Sequence, residues 1–76
     1  MSEKSKLLWR CRRGVKELDV ILTQYLETAY DDATEEDKRL FKNLLEYQDP
    51  DILRYFLRQE EPEDKDIARI VEKIRN

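Results

Sequence analysis

The sequence predicts an all-α fold, a compact bundle of five short helices, and three observations carry that prediction. Apolar residues recur at spacings of three and four along most of the chain. No segment shows the strict apolar–polar alternation or the β-branched run of a strand. Residues that start or stop helices fall at short intervals, at Gly14, Thr34, Asp49-Pro50 and Pro62.

The first helix is expected from about Ser5 to Arg12, with Gly14 as a left-handed cap and Arg12 and Arg13 against the negative helix end. The second starts near Val15 or Lys16. Its Leu18, Ile21, Leu22, Tyr25, Leu26 and Ala29 form the clearest buried stripe, which makes it the central helix. Thr34 can cap a third helix whose first turn holds Glu35, Glu36 and Asp37 and whose inner face is Leu40, Phe41, Leu44 and Leu45. Asp49 reads as the next N-cap, with Pro50 in the first helical position ahead of Ile52, Leu53, Phe56 and Leu57. After Pro62 the last helix, from about Glu63, carries Ile67, Ile70, Val71 and Ile74 on one face. The stripes are too short and too often interrupted for a coiled coil.

At 76 residues the chain reads as a single domain over 1–76, without internal repeat or low-complexity segment. Charged residues make up 43% of it and hydrophobic ones 39%, so a modest core lies under an ionised surface. No apolar run approaches the roughly 18 residues that span a bilayer, so no membrane insertion is expected. The N-terminus has no apolar secretion signal, and the expected location is cytoplasmic. The apolar stripes suffice for one core, which points to a monomer.

The formal charge of −3 conceals a polarity. Residues 1–16 hold six cations against Glu3 alone, a balance of +5; the other sixty hold nine cations against seventeen carboxylates, −8. Opposite fields at the two ends can orient a partner during encounter.

The chain has no histidine, which removes the commonest general base and metal ligand. One cysteine cannot supply a zinc site, and one glycine cannot build a phosphate-cradling loop. Paired carboxylates such as Asp31-Asp32 and Glu60-Glu61 read as solvated loop charge. No catalytic residue and no metal site are assigned, and the chain is read as not an enzyme.

The informative segment is Trp9 to Asp19, which contains the only tryptophan, the only cysteine and the only glycine, with Arg10, Arg12, Arg13 and Lys16 among them. Cys11 falls on the same helix side as Leu7 and Leu8, which favours burial in the core. A thiol activated by the neighbouring arginines is the alternative, and alkylation separates the two. Trp9 fits either the core or, given Arg12 and Arg13 beside it, an outward-facing anchor for a partner. A single glycine suits either a positive φ or a close approach of another surface. Glu17 follows Gly14 by three residues and can lie near Arg13 across the turn, so an Arg13–Glu17 pair is expected around Gly14.

Arg13-Gly14-Val15-Lys16-Glu17, an arginine and glycine followed after two residues by glutamate, resembles the signature of the small FAD assembly factors of succinate dehydrogenase, bacterial proteins related to mitochondrial assembly factor 2. The resemblance extends through Trp9, Cys11, Arg12, Leu18 and Asp19, and to Leu44-Leu45-Glu46 and Asp49-Pro50-Asp51, covering nearly the whole chain. Aromatic positions in the second and fourth helices depart from the family pattern. The resemblance implies a five-helix bundle that binds the flavoprotein subunit of succinate dehydrogenase, and in some bacteria that of fumarate reductase. It implies that binding promotes covalent attachment of FAD to a histidine of that subunit, with no FAD held stably by the helper itself. Carried onto this chain, Arg13, Gly14 and Glu17 are the partner-binding motif, with Trp9 and Asp19 beside them. A runner-up is a helical regulator of the antitoxin type, binding a toxin or nucleic acid through the basic N-terminal segment. Confinement of the positive charge to the first helix and its turn, and the lack of a helix-turn-helix signal, argue against a nucleic-acid partner.

Overall fold

The described part of the computed structural model is residues 2–75. It contains five helices: α1 (Glu3–Cys11), α2 (Lys16–Thr28), α3 (Glu35–Leu44), α4 (Asp49–Phe56) and α5 (Lys65–Arg75). No strand occurs among the described residues.

Local chemistry explains most boundaries. The Ser2 hydroxyl accepts from the Ser5 amide at 3.2 Å, so α1 begins earlier than the apolar pattern suggests. Thr34 caps α3 as expected, its Oγ1 accepting from the Asp37 amide at 3.1 Å. At α5 the cap is Asp64, whose Oδ1 accepts from the amides of Asp66 at 2.8 Å and Ile67 at 3.3 Å.

Two expectations are corrected in α4. Gln48 is the N-cap, so Asp49 and Pro50 are the first and second helical residues. Proline is tolerated there because the first amides of a helix lack intrahelical acceptors in any case. The Asp49 carboxylate is thereby free for a distant partner. At the other end the helix stops at Phe56, and Leu57 is exposed rather than part of the inner face. The chain turns away at Arg58, which holds a left-handed φ of 62°.

The central role expected for α2 is confirmed: it packs against α1, α4 and α5, while α3 packs on α5. Leu18, Leu22 and Leu26 of α2 are fully buried together with Phe41, Leu44, Ile52, Ile70 and Val71. Ile21 and Tyr25 lie half-buried at the edge of that core. Tyr25 and Tyr30 both tilt against Phe41, with ring centroids 5.0 and 5.7 Å away, so a chain with few aromatics concentrates them at one joint. Asp37 does more than favour the helix dipole. It is buried, and Lys73 donates to its Oδ2 at 2.5 Å, tying α3 to α5.

Candidate functional site

The residues between α1 and α2 form a turn held from below and open above. Helix α1 ends with the Arg12 amide bonded to the Trp9 carbonyl at 3.2 Å. Gly14 lies two residues beyond that cap, with φ at +87°. Its positive φ agrees with the sequence expectation, although its place is past the cap rather than at it. A side chain added at Gly14 would meet no atom within 4 Å. Glycine is therefore required here by the backbone and not by crowding inside this chain. The next residue, Val15, packs against the core and fixes the entry into α2.

Arg13 is the fastener beneath the turn. Its Nε donates to Asp49 Oδ1, its Nη1 to the Leu45 carbonyl at 3.0 Å and its Nη2 to the Tyr47 carbonyl at 2.5 Å. A longer bond at 3.4 Å runs to the Arg10 carbonyl. The planar fork thus satisfies carbonyls at the end of α3 and the carboxylate opening α4 together, a geometry that lysine cannot copy. Asp19 completes the arrangement by reaching back, its Oδ1 accepting from the Arg13 amide at 2.7 Å.

The expected Arg13–Glu17 pair does not form. Arg13 is drawn inward by three acceptors, whereas Glu17 is exposed and has no partner among the described residues. Sequence proximity favoured Glu17, but burial beside Asp49 lets the guanidinium engage several acceptors at once. The five residues singled out from the sequence therefore separate into two layers. Arg13 and Asp19 build the turn. Trp9, Gly14 and Glu17 are exposed on its surface.

Trp9 is 67% exposed, the highest value of any large hydrophobic residue among the described residues. Arg12 stacks on it with the guanidinium carbon 5.8 Å from the ring centroid. Val20, also exposed, follows Glu17 by one helical turn on α2. The surface thus offers an aromatic ring, a cation, a bare backbone turn and an unpartnered carboxylate, a combination suited to a protein interface.

Cys11 lies under this surface, fully buried. Burial pushes its thiol up to about 11, outweighing the nearby Arg13 and Arg10 charges that act in the opposite direction. The core reading of Cys11 holds and the activated-thiol alternative does not.

The N-terminal cations are partly consumed internally. Lys4 pairs with Asp31 at 2.9 Å, Arg10 with Glu46 at 2.7 Å and Arg13 with Asp49. Pairing half of the six cations weakens the continuous basic surface that phosphate binding needs. Among the described residues no cluster of metal-ligating side chains occurs, and no helix is long and apolar enough to cross a membrane.

Asp49 is the residue that local sequence reasoning misassigned. A carboxylate before proline has a ready local role as a cap, and its partner lies 36 residues away. The joint presence of Arg13 and Asp49 in the two recognised blocks was the available signal.

Comparison with known proteins shows the family. The family described as flavinator of succinate dehydrogenase matches residues 5–76. The FAD assembly factor SdhE of Legionella pneumophila (strain Lens) is 45% identical over 74 residues, covering 97% of this chain and 92% of that relative. The protein of the same name from Methylococcus capsulatus is 40% identical over 75 residues, covering 99% and 90%. That from Photorhabdus laumondii is 36% identical over 76 residues, covering 100% and 86%. With its length matched almost end to end and its turn built as described, the chain belongs to the family of succinate dehydrogenase flavinators.

Proposed function

We propose that this protein is a non-catalytic assembly factor that binds the flavoprotein subunit of succinate dehydrogenase and promotes covalent attachment of FAD to it. Family membership supports the partner and the reaction. The observation that carries the site is the open turn at Gly14, a bare backbone segment at φ +87° with nothing above it, fastened by Arg13 and flanked by exposed Trp9 and Glu17.

In this reading the chemistry belongs to the flavoprotein. The helper binds the conformation in which flavin and acceptor side chain are aligned, and so raises its population. A rigid turn suits that task, because a surface already ordered loses little entropy on docking. Trp9 supplies apolar area, Arg12 and Glu17 supply charge of both signs, and Gly14 allows main-chain approach. FAD is attached on the partner, and the helper holds none stably. The same surface serves fumarate reductase where that enzyme carries covalent flavin. The helper acts as a cytoplasmic monomer.

The test is in-gel flavin fluorescence of the apo flavoprotein subunit incubated with FAD, with native protein, with Gly14→Arg, or alone. Faster covalent labelling with the native protein only is the expected result. Equal labelling in all three samples overturns the proposal.

A further inference from the structure

A groove of about 540 Å³ runs beside the second half of α2, closed on its far side by the end of α4 and the end of α5. Ile21, Tyr25, Phe56 and Ile74 contribute the apolar part of a lining that is more polar than apolar. Its charged lining residues are Arg58, Lys73 and Arg75; Lys73 is paired with Asp37 and Arg75 with Glu72, which leaves Arg58 as the lining cation without an ion-pair partner among the described residues. A chain with three more acidic than basic groups thus places no carboxylate in this lining.

Two details single out the groove. Arg58 occupies the left-handed region at φ 62°, a conformation disfavoured for a side chain of its size, and its guanidinium has no partner among the described residues. Arg75 is nine-tenths buried, with Nη1 donating to the Tyr55 carbonyl at 2.7 Å and Nη2 bound to Glu72. Its Nε is buried without an acceptor. A buried donor left unmatched in an otherwise well-satisfied structure calls for an explanation. The atom is closed to solvent, so an acceptor seated in the groove reaches it only when the Arg75 side chain shifts.

The groove lies on the same stripe of α2 as Glu17. Glu17, Ile21, Gln24 and Thr28 succeed one another at spacings of four, three and four, so they share one stripe of α2. Glu17 belongs to the exposed turn, and the other three line the groove.

We propose that this groove is a second contact for the same flavoprotein, receiving an acidic segment that sets an apolar side chain against Ile21 and Phe56 and a carboxylate against Arg58 and Arg75. The inference rests on the assembly-factor reading for the identity of the partner. Its occupant is a protein segment, because the groove is open and combines apolar with cationic side chains, whereas a small free anion would leave the apolar ones uncovered. The groove lies among the sixty residues that carry a net charge of −8, where an acidic segment is otherwise repelled.

The experiment measures the affinity of the full-length protein for the apo flavoprotein subunit by calorimetry, at low and high salt. Arg58→Gly removes the guanidinium and keeps the backbone freedom that the left-handed position requires. Thr28→Trp fills the groove from an exposed position without entering the core. Each is expected to weaken binding by about tenfold, in proportion to the loss of one charge-assisted hydrogen bond or of the seated side chain. The Arg58 variant should also flatten the salt dependence, and both should melt like the native protein. Native affinity in both variants, alongside lost binding in Gly14→Arg, overturns the groove and leaves the assembly-factor reading standing. Failure of the native protein to bind overturns both.

Discussion

Arg13 and Asp49 form an ion pair across 36 residues of sequence, and the same guanidinium holds the Leu45 and Tyr47 carbonyls. The link joins the α1–α2 turn to the α3–α4 connection, two loops that no continuous helix spans. Arg13→Ala leaves a half-buried carboxylate and two carbonyls without a donor, and should cost about 2–3 kcal/mol of stability in urea unfolding. Arg13→Lys retains the charge but not the fork, and should recover less than half of the loss. A double-mutant cycle with Asp49→Asn should show clear coupling.

Gly14 allows strain and collision to be separated. With nothing within 4 Å of its added side chain, Gly14→Ala and Gly14→Arg face the same backbone penalty, about 1–2 kcal/mol for a non-glycine residue in the left-handed region. Gly14→Asn should cost less, since asparagine tolerates that region. Similar melting temperatures for the alanine and arginine variants, with flavinylation lost chiefly in the arginine variant, are expected. A melting temperature far lower for arginine than for alanine would mean that the turn is crowded.

Glu17 is exposed and unpartnered, so Glu17→Ala should change stability by less than about 0.5 kcal/mol. Promotion of flavinylation should nevertheless fall, because the carboxylate is free to meet a partner. Side-by-side thermal unfolding and in-gel fluorescence check both halves of the statement.

How far the sequence reveals this arrangement depends on the range of the interaction. The apolar stripes of α2, α3 and α5 were legible because each residue's burial follows from its own neighbours three and four places away. The Thr34 cap and the positive φ of Gly14 are similarly local. Arg13 was placed in the right turn but given the wrong partner, since spacing along the chain cannot show that α4 brings Asp49 beneath it. Trp9 could be placed on a helix, but which face remained uncovered depended on where α2 and α3 pack. Asp37 is a third instance, with a visible dipole role and an invisible partner in Lys73.

Cys11 gives a pH and reactivity prediction. Burial raises its thiol from an ordinary value of 9.0 to about 11, so the neutral form is favoured in the fold. Its contribution to stability is complete below pH 9 and is lost as pH rises from 9 through 11. Alkylation by iodoacetamide at pH 8 should be slow in the native protein and rapid in urea. Rapid native labelling would place the thiol at the surface and contradict the packing of α1 on α2.

Asp37 tests how α5 is held. Its side chain is 9% exposed and carries the Lys73 bond at 2.5 Å, with Arg69 at 3.8 Å on the other oxygen. The two partners are half-exposed, so the cost of breaking the link is asymmetric. Lys73→Gln retains a donor, returns the lost charge's hydration to solvent and leaves Arg69 near the carboxylate; about 1 kcal/mol is expected. Asp37→Ala removes a buried carboxylate between α3 and α5 and leaves a cavity between the two helices, with an expected cost of about 2–3 kcal/mol. Because Lys73 and Arg75 reach the groove from α5, a loosened α5 should also weaken flavoprotein binding in the Asp37 variant. Equal destabilisation by the two substitutions would show that the pair acts as a surface ion pair, and that packing of Ile67, Ile70 and Val71 alone positions the helix.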